Sequence, residues 1–421
     1  MRNSPFWILV VGFMLLLDFY VFQAIKVVAH SAAPRTKTVI FTGYWVLSVL
    51  ALLVFLLLPL LQPQNMNRGV RTVVLAVVIG LFLAKVIAAL FLLIDDLRRG
   101  IQWLAGRFSS SGPKGEDPAA DGRISRSVFL SWAGLGLGTT LLGAFIYGFT
   151  NKYNYRLRRV PLSFGNLPAA FRGLRVVQIS DVHSGSLENR AAVERGIDQI
   201  LALKPDLILF TGDLVNNVAD EMREYQSVFS RLKAPMGVYS VLGNHDYGDY
   251  HWGSHPTGAA AQEKAENLER LKSIHAAMGW RLLLNEHVLL EKGGEQIALL
   301  GVENWSAKAN FSRYGDLQKA YTGSEGAPFK ILMSHDPSHW DAEVRTRYTD
   351  IDLMLSGHTH GMQFGVETPW LRWSPVQYVY RQWAGLYNGG KQRLYVNRGF
   401  GFIGYPGRVG ILPEITLLEL S

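Results

Sequence analysis

The 421-residue chain contains no cysteine. Disulfides, zinc–thiolate sites and thiol nucleophiles are therefore excluded. Excess positive charge is equally scarce where a polynucleotide would need it. Residues 151–421 carry 29 Lys or Arg against 28 Asp or Glu, whereas residues 1–150 carry 13 against 6. The formal net charge of +8 thus belongs almost wholly to the first part. A basic stripe, the electrostatic footprint of nucleic-acid binding, is missing from the second, so no nucleic-acid partner is expected. Internal repeats are also lacking, and the one compositionally biased stretch is the polar Gly106–Gly122. Its Gly, Ser and Pro content predicts a flexible loop.

Apolar residues, by contrast, make up 48% of the chain, and they are concentrated in four runs. Phe6–Ala29, Val39–Leu61, Thr72–Ile94 and Val128–Phe149 are each long enough to cross about 30 Å of hydrocarbon as a helix. Four such runs within 150 residues argue against a cleaved leader and against burial of each in a soluble core. An integral membrane protein is expected. The fourth run is rich in small residues (Gly134, Gly136, Gly138, Gly143), which permit close helix packing in lipid. Asp18 and Lys85 interrupt runs one and three near their middles. Charges at such depth face a partner or a wet cavity, so an ion pair is expected, with Lys85 snorkelling alone as the alternative. The basic residues flanking the runs are almost evenly divided between the two sides, which leaves orientation nearly undecided. The run Ser125–Ser131 (SRSVFLS) looks like a degraded twin-arginine export signal, with Ser127 in place of the second arginine. It favours a C-terminal part outside the cytoplasm.

Beyond residue 171 the pattern changes to strand-like runs alternating with helical ones. Residues 189–203, 220–232 and 259–278 have helical spacing, and 283–302 looks like a strand pair turning at Gly293–Gly294. Such alternation predicts a layered α/β fold with a mixed sheet. Five of the apolar runs end in residues that ligate metals. LRVVQISDVH ends in Asp181 and His183, PDLILFTGD in Asp213, GVYSVLGNHD in Asn244, His245 and Asp246, FKILMSH in His335, and IDLMLSGHTH in His358 and His360. The loop after a central strand is where open α/β sheets place ligands, and five such endings in one chain point to a single centre.

In this order, the blocks Asp181-x-His183, Gly212-Asp213, Gly243-Asn244-His245-Asp246, His335 and Gly357-His358-Thr359-His360 resemble the signature of the calcineurin-like metallophosphoesterases. The closing Tyr395-Val-Asn-Arg-Gly-Phe-Gly, Arg408 and Pro413-Glu414-Ile415 resemble a membrane-associated bacterial branch that includes proteins of UDP-diacylglucosamine pyrophosphatase type. The resemblance implies a four-layer α/β/β/α sandwich, here preceded by a four-helix transmembrane region. The resemblance covers the chain from about residue 172 to the end; with the four apolar runs, the expected division is 1–150 as the membrane region, 151–171 as a juxtamembrane linker and 172–421 as the catalytic domain. The resemblance also implies two metal ions, with Asp181, His183 and His360 completing one site and Asn244, His335 and His358 the other.

The chemistry is consistent with that pattern. A phosphate ester is anionic and repels hydroxide, so its hydrolysis needs cations that cancel charge and acidify water. One carboxylate must bridge two such ions, and Asp213 is the candidate. The donor set suits Mn, Fe or Zn without choosing among them. His358 and His360, two apart, would face the same side of an extended backbone, and the glycines at 212, 243 and 357 would allow sharp turns. His245 is expected to protonate the leaving oxygen, with Asp246 orienting it.

One departure from the family pattern is Met362, where a second glycine often follows the last motif; it bears on pocket shape. Arg398 and Arg408 are candidates for substrate phosphate or for structure. His251, Trp252 and His255 are candidates for a substrate rim or a solvent loop. The aromatic run Trp370, Trp373, Tyr378, Tyr380 and Trp383 fits either loop packing or contact with a bilayer interface. The expected function is hydrolysis of a phosphoester or pyrophosphate, possible partners being membrane lipids and a lipid-linked substrate. The rival readings are a catalytically silent metal-binding receptor or scaffold, and a transporter. The second is thinly supported by two mid-span charges.

Overall fold

The computed structural model describes residues 5–57, 68–108 and 126–421. The chain forms two compact units, Met1–Tyr147 and Gly148–Ser421. Most of the polar loop expected at 106–122 lies outside the described residues.

Among the described residues, the first unit holds four helices, α1 (Pro5–Val28), α2 (Pro34–Leu57), α3 (Arg68–Phe108) and α4 (Arg126–Gly148), each long and apolar enough to cross a membrane. At 41 residues, α3 is about 60 Å long, twice the hydrocarbon thickness. Its extra length is the polar stretch from Asp95 onward, where Asp95 accepts from Ser127 Oγ at 2.6 Å. The expected pair forms: Lys85 Nζ donates to Asp18, and also to Ser48 Oγ at 2.8 Å. Tyr44 Oη donates to the Asp18 carbonyl at 2.7 Å. All three lysine, aspartate and serine side chains are buried. Of the glycines at 134, 136, 138 and 143 in α4, Gly134 and Gly138 provide the close approach. A Cβ on Gly138 would lie 2.5 Å from the Ala84 carbonyl oxygen, whereas Gly136 and Gly143 face open space.

The second unit holds fourteen strands: β1 (Arg156–Leu162), β2 (Leu174–Ile179), β3 (Leu207–Phe210), β4 (Val238–Ser240), β5 (Arg281–Leu282), β6 (Glu286–Lys292) and β7 (Glu295–Gly301), then β8 (Lys330–Met333), β9 (Leu353–Ser356), β10 (Val366–Glu367), β11 (Arg372–Trp373), β12 (Gly385–Gly389), β13 (Gln392–Val396) and β14 (Glu414–Leu420). One six-stranded sheet has the order β1-β14-β2-β3-β4-β5, the other β12-β13-β9-β8-β7-β6, and β10 and β11 form a separate hairpin.

The period of two along each strand builds the layers. Leu207 and Leu209 of β3 meet Ile331 and Met333 of β8 and Leu353 and Leu355 of β9 in the core between the sheets. Ile208 and Phe210 point the other way and pack with Val193, Ile197 and Ile200 of the helix Arg190–Ala202. Leu332 and Met354 do the same on the outer face of the second sheet, against Trp340 and Val344. Strands apolar on both faces are buried on both faces, giving the four-layer α/β/β/α sandwich. Each fully buried aliphatic side chain contributes about 1.5–3 kcal/mol.

Two local expectations change and a third holds. Residues 151–171 are not merely a linker: β1 lies at the sheet edge, parallel to β14 in the register Arg156↔Glu414 to Leu162↔Leu420. Its sequence RLRRVPL is rich in arginine and carries a proline, both characteristic of an edge strand, and this hid the apolar alternation. Residues 220–232 form two short turns of helix, Ala219–Met222 and Gln226–Phe229, instead of one long helix. The pair β6–β7 turns as expected at Gly293 and Gly294, both with positive φ (57° and 82°), the geometry a two-residue hairpin favours.

Candidate metal centre

The C-terminal ends of β2, β3, β4, β8 and β9 carry the five motif blocks, so both sheets contribute to one centre. Asp181, His183 and His360 offer ligand atoms within 4.8 Å of one another, and so do Asp213, His335 and His358. Nε2 of His183 lies 2.9 Å from Nε2 of His360 and 3.5 Å from Asp213 Oδ2. His335 Nε2 lies 3.1 Å from the same Asp213 oxygen, without the geometry of a hydrogen bond. Asp213 Oδ2 therefore stands between the two groups. Asn244 Oδ1 lies 2.8 Å from His358 Nδ1, which joins it to the second group. The seven expected ligands thus come together.

The backbone is strained to do this. Asp181, His183, Asp213, His358 and His360 all have φ between 49° and 72°, a region costing a non-glycine residue roughly 1–3 kcal/mol. His358 and His360 therefore do not share an extended strand; both are left-handed, with Thr359 in the right-handed region between them. Their convergence comes from that alternation. Of the three glycines, only Gly212 has positive φ (97°). Gly243 and Gly357 are needed for close approach: a Cβ at 243 would lie 2.2 Å from Asp213 Oδ1, and one at 357 would lie 1.9 Å from Ser180 Oγ.

Electrostatics couples the carboxylates to the rings. Burial pushes the Asp181 carboxyl up, but His360 outweighs it and holds the group well below the usual range. Asp213 is likewise lowered, burial being overcome by His335 and His245. Burial alone would lower His335, yet the Asp213 carboxylate raises it to about 10. Burial depresses His183 and His358. Buried carboxylates and imidazoles that neutralise one another through shared protons are the donor set a hard or borderline cation can take over. Neighbours fix the rings: His335 Nδ1 donates to the Thr211 carbonyl at 2.7 Å, which leaves Nε2 as a ligand atom. The residues present fit a metal pair.

His245 lies beside both groups and belongs to neither. Its ring sits edge-on to His183 at 4.9 Å and stacks on Tyr250 at 4.4 Å. The expected orienting role of Asp246 is not observed. His245 Nδ1 instead donates to the Asn216 carbonyl at 2.8 Å. The Asp246 carboxylate accepts from the backbone N–H groups of Asp213, Leu214, Val215 and Gly243. It holds the loop bearing the bridging candidate, and burial with the Asp213 charge raises it to about 7.

Other candidates separate clearly. Arg398 is buried between Glu414 and Glu367. Arg408 donates to the carbonyls of Arg398, Gly399 and Gly401, and its Nη2 lies 3.3 Å from His360 Nδ1, so it braces a candidate ligand ring. Trp252 bonds Glu263 outside the centre. Met362 points outward, 58% exposed. Three residues join the centre unforeseen. Tyr380 Oη lies 2.7 Å from His358 Nε2 and donates to Asp336 Oδ2 at 3.1 Å. Tyr250 Oη accepts from Asn244 Nδ2 at 3.0 Å. Asp336 directly follows His335 and could have been suspected; Tyr250 sits in the one-turn helix Asp249–Trp252 and Tyr380 in a loop, neither with a spacing signal.

Comparison with known proteins agrees with this geometry. Residues 174–362 match the model of the calcineurin-like phosphoesterases, and residues 1–152 that of a probable calcineurin-like phosphoesterase transmembrane domain. The chain is 32% identical over 267 residues to the metallophosphoesterase YkuE of Bacillus subtilis, covering 61% of this chain and 82% of that one. It is 27% identical over 324 residues to a transmembrane protein with metallophosphoesterase domain of Danio rerio, covering 75% and 67%. It is 29% identical over 311 residues to the UDP-2,3-diacylglucosamine pyrophosphatase LpxG of Chlamydia trachomatis, covering 62% and 90%.

Proposed function

The chain belongs to the calcineurin-like metallophosphoesterases, and from that premise we propose that it hydrolyses phosphoester or pyrophosphate bonds of a lipid-linked substrate. The observation that carries the reading is the placement of Asp213 Oδ2 between two ligand groups, with His245 beside them and outside both. Asp181, His183 and His360 would hold one ion, Asn244, His335 and His358 a second, and Asp213 both. Mn, Fe and Zn all suit these donors. Bound cations would supply charge neutralisation at the phosphoryl group and a more acidic water. His245, with Nδ1 committed to the Asn216 carbonyl, keeps Nε2 for proton exchange with the leaving oxygen. Asp246 holds the Asp213 loop in register for both tasks.

Two things support the lipid-linked class: the four helices of this chain, and its similarity to a Chlamydia protein named for a diacylated sugar-nucleotide. The export-like run Ser125–Ser131 supports a catalytic unit outside the cytoplasm. Labelling of Lys292→Cys in intact cells by a membrane-impermeant thiol reagent tests that placement, since the chain has no other thiol.

The test of function uses the full chain, metal-loaded, in lipid nanodiscs, offered a diacylated pyrophosphate and a water-soluble phosphodiester. Faster turnover of the lipid is expected. Turnover of the soluble ester alone would remove the lipid class. Bound metals with turnover of neither would favour the silent receptor or scaffold.

A further inference from the structure

Large apolar side chains are unevenly exposed on the catalytic unit. Ten are exposed in all, and six fall between residues 362 and 379: Met362, Val366, Trp370, Leu371, Tyr378 and Val379. Trp370, at the tip of the β10–β11 hairpin, is 92% exposed, and Tyr378 is 77% exposed. Tyr378 Oη is tied to the hairpin by Trp373 Nε1 at 3.3 Å, so the two exposed rings belong to one surface. A concentration of exposed apolar side chains in one short segment marks an interaction site.

Three observations identify what covers it. The first is the tether. The spanning helix α4 ends at Gly148, whose carbonyl accepts from Arg408 N at 2.9 Å, and Phe149 packs on Tyr405. Val409, next along, bonds Gln363 and Gly365 at 2.8 and 2.9 Å. The root of the patch is thus two neighbouring chain segments from Gly148, the residue at which the chain enters this unit, roughly 10 Å at the usual strand spacing. The second is composition: Trp and Tyr beside Leu, Val and Met are the side chains that settle at a bilayer interface. The third is charge. Glu367 is the only carboxylate between residues 361 and 384. It is neutralised by Arg158 at 2.7 Å and Arg398 at 2.6 Å, while Arg381 stands exposed. The surface therefore offers anionic headgroups a cation and no repelling charge.

We propose that residues 362–379 form a membrane-docking element, whose apolar side enters the interface of the bilayer that the four helices cross. Both ends of the element are rooted in the metal centre, His360 at one and Tyr380, bonded to His358, at the other. Docking would hold the mouth of the centre at headgroup level. The docking itself does not rest on the reaction proposed above.

The absence of cysteine makes the test direct. In the full chain, Leu371→Cys, Tyr378→Cys and the distant, exposed Leu289→Cys each accept one polarity-sensitive fluorophore. Nanodiscs with one protein each, prepared with and without brominated phospholipid, are then compared. The expected result is a blue shift and loss of emission at 371 and 378 in brominated discs, with the label at 289 unaffected. Emission at 371 and 378 that is insensitive to brominated lipid and quenched by iodide as at 289 would overturn the proposal. So would a blue shift seen only when discs hold two copies, which would assign the patch to a second chain. Because no turnover is read, this result is independent of the substrate assignment.

Discussion

The Nε2 atoms of His183 and His360 face each other at 2.9 Å, beside the carboxylates of Asp181 and Asp213. Two imidazole nitrogens this close need a proton or a cation between them. Left-handed backbone at both residues costs roughly 1–3 kcal/mol each, and a bound metal offsets that strain by stabilising the folded state. Chelation should therefore lower the melting temperature of the catalytic unit, and re-addition of a divalent ion should restore it in proportion to occupancy. Calorimetry of the full chain before and after dialysis checks this; an unchanged transition would contradict it.

Asp213→Asn removes charge from the oxygen lying 3.1 Å from His335 and 3.5 Å from His183. Metal content and rate should fall together, by elemental analysis and phosphodiester turnover. A variant with full metal and full rate would remove Asp213 from the bridging position.

His245→Ala should behave differently. The ring lies outside both ligand groups, so both ions should stay while turnover falls by about 10²–10⁴-fold, the range of general acid catalysis. Loss of metal from this variant would show that His245 is a ligand.

Tyr380→Phe takes away the hydroxyl between His358 Nε2 and Asp336. Partners that fix a ligating ring typically matter by about 10–100-fold in metal affinity. Competition with a fluorescent chelator should show that loss, and Asp336→Asn should show one of the same order. Unchanged affinity in both would make the chain of contacts incidental.

Arg398→Met should act on stability and leave substrate affinity alone. It leaves Glu414 buried without its counter-charge, a change that typically costs about 3–5 kcal/mol. Denaturation midpoints and KM for a soluble diester separate this from a phosphate-binding role, which would raise KM instead.

In the membrane unit, Lys85→Ala and Asp18→Ala should each lower thermal stability in detergent, and the double variant should lose less than the two combined. The partners are buried together with Ser48, against the half-buried Tyr44, so removing one strands the other. Additive losses would mean that the pair is not coupled.

Ligand positions were legible because apolar strands ending in Asp or His are rare in combination, and the double-faced burial of β3 and β8 followed from their unbroken apolar runs. What escaped had no periodic signal. β1 was hidden by its arginines, which face solvent along a sheet edge. The alternation of left- and right-handed backbone at 358–360 depends on contacts from Asp181 and Trp383, remote in sequence. Adjacency to His245 implies a contact that Asp246 does not make, because its carboxylate turns back to four backbone N–H groups. Arg398 and Arg408 could not be told from phosphate ligands until their buried partners were seen.

The central claim is hydrolysis at a centre of two metals sharing Asp213. Its most direct test is titration of the metal-free full chain with Mn²⁺, following bound ion per chain and phosphodiester turnover in the same samples. Turnover should rise with the second equivalent and level off at two bound ions. Turnover that is complete at one ion, or that persists with none, would contradict the account.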